Sequence, residues 1–427
     1  MREMKDSGIE WIGNVPKIWS LKPIRALFDE VTEKNFLGTC SNALKFTHGS
    51  IVRKHNFDAD ADDYVASTIL NYTVVEPGTI MLNGLNLNFD FVSQRIGLVK
   101  EKGVITSAYM AFKPNEKQLI DSEFATYLFK AYDGCKAFHN MGGGVRKILN
   151  FNEFKKYYIP LPDLNEQQHI VDLLDTQCSE IDATAEDIQK EISLLEDYKK
   201  SVITEAVTKG LNPDAEMKDS GVEWLPKIPK HWKVIPSKYL FANSDIRRQT
   251  GDEQLTASQK YGIITQKDYT AKENAQIVLA TQGLEKWKHV EPNDFIISLR
   301  SFQGGLEMSE ITGCITWHYV VLKAQKEVCH KYYKWLFKSA RYINALQGTC
   351  NFIRDGQDLR FSNFALVPLF ELPLEEQQQI ADYLDIKCSE IDTLIADKKR
   401  QLDILADYKK SLIYEYVTGK KEVPVNE

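Results

Sequence analysis

The sequence predicts a mixed α/β chain of the α+β kind, with two globular domains joined by two long antiparallel coiled-coil helices and a pseudo-twofold internal repeat. Three observations predict this. MKDSGIEW at 4–11 returns as MKDSGVEW at 217–224, a shift of 213, while EQQ from Glu166, CSEID from Cys178 and DYKKS from Asp197 return from Glu376, Cys388 and Asp407, each shifted by 210. Two stretches without Pro or Gly carry an apolar residue at alternating spacings of three and four, the pattern of a coiled-coil seam. The segments between the repeated blocks diverge strongly and mix strand-like and helix-like patterns. A chain that keeps a frame and varies two inserts presents two versions of one task.

In chain order, 1–163 is a first globular domain, 164–210 a first helix, 211–373 a second domain, 374–420 a second helix and 421–427 a tail. Within the first domain, the apolar runs 79–82 and 103–112 predict strands and 122–132 a helix; within the second, 294–299 and 314–322 predict strands and 331–346 a helix. GVITSAY from Gly103 parallels GCITWHY from Gly313, and TYLFK from Thr126 parallels KWLFK from Lys334, so the inserts share one fold with diverged loops. Asn165, with Gln168 three residues on, predicts a capped helix start. From there Leu174, Ile181, Ile188, Leu195 and Val202 recur every seventh residue, with Val171, Cys178, Ala185, Ile192 and Ala206 between them and Lys199 as the polar exception. At 1.5 Å per residue such a helix spans about 65–70 Å. The second copy repeats the seam through Ala381, Leu384, Cys388, Ile391, Ile395, Leu402, Leu405 and Leu412, with Lys398 where Ile188 stood. Two such helices separated by a domain pair most simply antiparallel.

A length of 427 residues exceeds one ordinary core, and 43% hydrophobic with 26% charged residues is a soluble globular balance. No run approaches the roughly 20 apolar residues of a membrane span. The seven cysteines are scattered with no C-x-x-C, which predicts reduced thiols in a cytoplasm and no zinc or disulfide frame. The net charge of −7 divides unevenly: 1–160 carries +2 and 217–370 carries +6, whereas 161–216 carries −10 and 371–427 carries −5. The inserts are mildly basic and the connectors acidic. The basic inserts suit nucleic acid, and the acidic connectors suit a protein partner better than phosphate.

Motifs for catalysis are missing. There is no phosphate-binding glycine loop, no NPPY or DPPY, no H-x-x-x-H, and Gly142-Gly143-Gly144 reads as a turn. What remains is a recognition surface, because reading base edges needs Arg, Lys, Asn, Gln and Ser in turn-rich loops. The first insert offers Asn83, Asn86, Asn88, Ser93, Gln94, Arg95, Arg146 and Lys147. The second offers Arg247, Arg248, Gln249, Ser298, Arg300, Ser301, Gln303, Trp317, His318, Asn351 and Arg354. Trp11 and Trp19 recur as Trp224 and Trp232 inside the repeated frame, where they are expected to anchor the opening segment of each domain.

These blocks resemble the specificity subunits of type I restriction–modification enzymes. The resemblance rests on MKDSGIEWIGNVPKIW, the helix starts LPDLNEQQHI and LPLEEQQQI, the CSEID and DYKKS helix bodies, the VTKG ending, and EPGTIMLNGLN…GVITSAY beside EPNDFIISLRS…GCITWHY. It covers essentially the whole chain; TWHY and Asn293, which stands where the first copy has Gly78, depart from the pattern. It implies two target-recognition domains, each reading one half of a gapped DNA site, and a helix pair that sets the gap. It also implies that two modification subunits dock on the helices and bring S-adenosylmethionine. Restriction subunits would bring ATP and Mg, and no cofactor would sit on this chain. A one-turn insertion near 183–187 is then expected to change the gap and spare both half-sites. The competing expectation is a coiled-coil adaptor with two ligand-binding domains and no DNA role; a self-contained enzyme is a third, weakened by the missing motifs.

Overall fold

The computed structural model describes residues 2–54, 68–145, 147–273, 280–298, 301–349 and 359–424. The chain forms two compact units, Met1–Ile188 with Arg400–Glu427, and Gln189–Lys399. Each long helix is therefore shared, giving its first half to one unit and its second half to the other.

Unit 1 is organised by a four-stranded antiparallel sheet of β1 (Phe28–Glu30), β2 (Ile80–Leu82), β3 (Ile96–Leu98) and β4 (Met110–Pro114), in the order β1-β4-β2-β3. Helix α1 (Ser122–Gly134) covers it, capped by Asp121, whose carboxylate accepts the Glu123 and Phe124 N–H groups. Phe28, Phe112, Phe124, Phe129 and Phe154 share one core, in which Phe28 meets Phe112, Phe112 meets Phe129 and Phe129 meets Phe154 edge-on. Unit 2 repeats the plan: β5 (Phe241–Ser244), β6 (Phe295–Ile297), β7 (Glu307–Met308) and β8 (Val320–Ala324) in the order β5-β8-β6-β7, covered by α2 (His330–Lys338) and α3 (Ala340–Gly348).

The structure corrects three sequence expectations. The runs 103–112 and 314–322 are each two strands, Gly103–Ile105 then β4, and Gly313–Ile315 then β8. A turn at Ser107-Ala108 or Trp317-His318 carries the chain from a two-stranded ladder into the main sheet. The 331–346 helix is broken at Ser339, whose extended backbone ends α2 and whose hydroxyl accepts the Tyr342 N–H to start α3. The first long helix is capped by Asp163 rather than Asn165: its carboxylate accepts the Glu166 N–H at 2.9 Å, and the helix runs Leu164–Lys209.

The seam residues face inward in both helices, the second of which runs Leu374–Val417. Leu174, Val202, Leu384, Ile391 and Leu412 are buried, while Ile181, Ile188, Leu195 and Leu405 are half-buried. In unit 1, Leu174 and Cys178 share a core with Leu412 and Tyr416; in unit 2, Val202 and Ala206 share one with Ala381 and Leu384. Direction is fixed inside unit 2, where Glu191 pairs with Lys398 and Lys199 with Asp392, so the strands of the pair run oppositely.

The repeated EQQ motif now has a physical role. Trp19 Nε1 donates to Glu166 Oε2 at 2.8 Å, and Trp232 Nε1 donates to Glu376 Oε1 at 3.1 Å. Gln167 is buried; its amide donates to Leu119 O and Pro162 O and accepts the Asp121 N–H, while Gln377 donates to Leu372 O and accepts the Cys329 N–H. One acid holds the buried tryptophan of the opening segment, and one amide joins the helix start to the domain. Tyr127 of α1 donates to Asp175 at 2.6 Å, and Trp335 of α2 to Asp385 at 2.9 Å, so the second contact of domain and helix is also repeated. In unit 1 the chain ends meet. Arg2 pairs with Glu166 and Glu422, and Gly419 at φ +70° lies so close to Pro16 that a Cβ would stand 2.4 Å from its ring.

Candidate nucleic-acid interface

In unit 1 the chain leaves β2 at Asn83 and returns at Arg95. Arg95 was expected at the surface as a DNA contact, and the structure corrects this. Its side chain is 0% exposed, with Nη1 donating to Asn83 O (2.9 Å) and Leu85 O (2.8 Å) and Nη2 to Asp90 O (2.7 Å). The planar guanidinium gathers carbonyls from three points of the loop through Nη1 and Nη2, which fixes the loop's shape. Asp90 reinforces the fold by accepting the Val92 and Ser93 N–H groups. Hydrogen bonds from Ser93 hold the Asp90 carboxyl down at about 2, with Val92 and the nearby Arg95 acting in the same direction.

Asn86, in the left-handed region at φ 53°, and Gln94 are exposed on this loop; Asn83 and Asn88 are half-buried. A second loop lies beside it. Asn88 Nδ2 donates to Val145 O at 3.1 Å, the Leu87 N–H to Lys147 O at 3.1 Å, and Lys147 Nζ to His139 O at 3.2 Å. Gly84 makes the approach possible, since a Cβ there would stand 2.2 Å from Leu149 O. The structure thus brings Asn83, Asn86, Asn88, Gln94 and Lys147 together; Arg146 lies outside the described residues.

In unit 2 the corresponding turn after β6 is partly turned inward. Ser298 and Ser301 are buried and bonded to each other, the Ser298 N–H donating to Ser301 Oγ at 2.9 Å, so they build the turn and do not face solvent as the sequence reading expected. Gln303 is exposed; Arg300, Asn351 and Arg354 lie outside the described residues. Trp317 is 50% exposed and stacks on exposed His318, ring centroids 3.5 Å apart.

Arg247, Arg248 and Gln249 are exposed on a segment strapped to the strand Lys288–Val290. Arg247 Nη1 donates to Lys286 O (2.7 Å), the Arg248 N–H to Trp287 O (2.9 Å), and the His289 N–H to Ile246 O (2.8 Å). Beneath them lies a buried clasp that sequence reasoning missed. His289 Nδ1 is 2.8 Å from Asp252 Oδ2, which also accepts the Gln249 N–H at 2.8 Å. The residues are 37 positions apart and in no motif, so nothing in the sequence pairs them. The arrangement offers two preformed sets of amides, cations and aromatics on loops, each set fixed by a buried charged residue.

Comparison with known proteins agrees with this architecture. Residues 23–194 match the type I restriction modification DNA specificity domain family. The chain is 22% identical over 433 residues to a protein described as the type I restriction enzyme MjaX specificity subunit of Methanocaldococcus jannaschii, covering 96% of both chains. In fold it is similar to a chain from the solved structure titled for complex assembly and conformational transition of the type I R-M system (13% identity, 95% of this chain and 99% of that one, TM-score 0.67). It is also similar to the HsdS subunit from Thermoanaerobacter tengcongensis (14% identity, 95% and 98%, TM-score 0.51). The doubled frame with its two loop-bearing units is thus a fold shared with these solved chains. Residues 23–194 are similar to that family's DNA specificity domain, and nearly the whole chain is similar to one of its specificity subunits at 22% identity.

Proposed function

We propose that this chain is the sequence-reading subunit of a type I restriction–modification complex and performs no catalysis itself. The loops of unit 1 read one half of a gapped DNA site and those of unit 2 the other, while the length of the helix pair sets the gap. The observation that carries this reading is the doubled frame. Trp19–Glu166, Gln167 and Tyr127–Asp175 are reproduced by Trp232–Glu376, Gln377 and Trp335–Asp385, whereas the loops they support carry different residues.

The same symmetry supports two copies of one protein partner. Leu194 and Tyr198 are exposed one turn apart on the first helix, and Ile404 and Tyr408 stand at the matching positions of the second. Twin apolar pairs on acidic helices suit two modification subunits, which would bring S-adenosylmethionine; restriction subunits would bring ATP and Mg. The complex would work on chromosomal DNA in the cytoplasm. The adaptor reading gains no comparable support.

The test is a single-molecule methylome of cells carrying the partner modification subunit, with and without this chain. A two-part, gapped methylated motif that depends on the chain is the expected result. An active modification subunit with no chain-dependent motif would refute the reading.

A further inference from the structure

The loop that Arg95 holds in unit 1 has an unusual outer surface. Phe89 is 73% exposed and Val92 91% exposed, although the loop is rigidly built from within by Arg95 and Asp90. Val145, 94% exposed, stands on the neighbouring loop, joined to the first through its own carbonyl, which accepts from Asn88. Phe91, between the two exposed residues, is stacked on His139 with centroids 4.5 Å apart, and Lys136 Nζ donates to Phe91 O at 2.5 Å. Single exposed apolar residues are ordinary, but several on one preorganised tip mark a contact surface.

The rim around this tip selects the partner. Asn86 and Gln94 are exposed amides, and Lys136 and Lys147 carry the nearby positive charge. The one acid of the loop, Asp90, is turned to the Val92 and Ser93 N–H groups and lies 3.7 Å from Arg95. An apolar point ringed by amides and ammonium groups, with its carboxylate satisfied internally, suits a groove of duplex DNA. There phosphates meet the cations, base edges meet the amides, and the apolar groups are thymine methyls and base faces.

We propose that Phe89, Val92 and Val145 form an apolar prong that enters a groove of the half-site read by unit 1 and selects bases by van der Waals contact. The inference rests on the sequence-reading function proposed above. It differs from the sequence expectation, which gave this loop's specificity to hydrogen-bonding side chains and to Arg95.

The test uses the full chain assembled with its modification subunits and the triple variant Phe89→Ser, Val92→Ser, Val145→Ser. All three side chains are exposed, so the thermal transition is expected to stay within a few degrees of the parent. The methylome should keep the second half-site and the gap while one or more positions of the first half-site become degenerate. Binding to a duplex carrying the parent motif should weaken about tenfold or more. Phe89→Leu with Val92→Ile should restore most of it. Deoxyuridine in place of thymidine in the first half-site separates the two contact modes. If it reproduces the loss, the prong touches methyl groups; if only the serine variant is weakened, the prong packs on base faces. An unchanged motif with unchanged affinity would overturn the proposal, as would loss of modification subunits from the serine variant, which would make the tip a protein interface. A parent complex without any sequence-dependent methylation would instead refute the functional reading, and the prong with it.

Discussion

Lys199 occupies a seam position where its heptad neighbours are apolar, and its Nζ lies 2.6 Å from Asp392 Oδ2. The relationship is repeated 210 residues on, where Lys409 Nζ lies 2.5 Å from Asp182 Oδ1. Both pairs are partly exposed and contribute only ~0.5 kcal/mol each. A polar pair inside a seam acts mainly on register, because any slip leaves the ammonium facing apolar side chains. We expect Lys199→Leu to leave the melting temperature unchanged or slightly raised while promoting misregistered or self-associated forms, measured by scanning calorimetry with light scattering. Lys199→Asp, facing Asp392, should lower the transition.

Glu166 serves two donors at once, the indole of Trp19 and the guanidinium of Arg2. Glu166→Ala leaves a buried N–H without an acceptor and should cost unit 1 about 1–3 kcal/mol. Glu376→Ala should do the same to unit 2 through Trp232. Hydrogen exchange resolved by segment should place each loss in its own unit; loss spread evenly over both would contradict the assignment.

The Asp90 loop has a defined acid response. Its carboxyl titrates at about 2 in the folded loop against an ordinary value of 3.8, so ionised Asp90 stabilises the loop above the ordinary value. That contribution is lost as pH falls from about 4 towards 2. Amide exchange at Val92 and Ser93 should therefore accelerate across that window in the parent. In Asp90→Asn it should already be fast at neutral pH.

Arg95→Lys tests the same loop from the other side. One ammonium cannot gather the carbonyls of Asn83, Leu85 and Asp90, so the substitution should behave nearly like Arg95→Ala and destabilise unit 1 by roughly 3 kcal/mol. Chemical denaturation measures this, and full retention of stability in Arg95→Lys would show that charge alone suffices.

The clasp in unit 2 acts on sequence reading through Arg247 to Gln249. We expect His289→Ala to degrade recognition of the second half-site at least tenfold, measured by methylation of single-base variants, with the first half-site unaffected. His289→Gln can still donate to Asp252 and should recover part of the loss.

Much of the frame is legible in the sequence because it obeys periodicity. A residue every three or four positions predicts the buried faces of both helices, down to Lys398 and Lys199 as breaks. The repeats also mark Trp19, Trp232, Glu166 and Glu376, although only the fold shows that each tryptophan meets its acid. The site is less legible. Arg95 and Gln94 are adjacent and both polar, yet one is buried and the other exposed, because carbonyls from a loop folded in space decide the matter. Asp252 and His289 are brought together by strand pairing that no local pattern encodes. The two split strands were missed for a simpler reason: Thr-Ser-Ala-Tyr and Thr-Trp-His-Tyr hold enough β-formers to hide a turn.

Unit 1 is completed by residues from both ends of the chain: Trp19 is closed over by Gly419, and Leu174 and Cys178 share their core with Leu412 and Tyr416. During synthesis, the first domain leaves the ribosome with the apolar face of its helix bare and stays so until the segment carrying Leu412 and Tyr416 follows. Unit 2 has its own half of the first helix in hand before its domain is made. The two halves, alike in frame, therefore mature in reverse order, the one begun first being finished last, and the waiting surface of the first is where a chaperone or an early partner would find its opening.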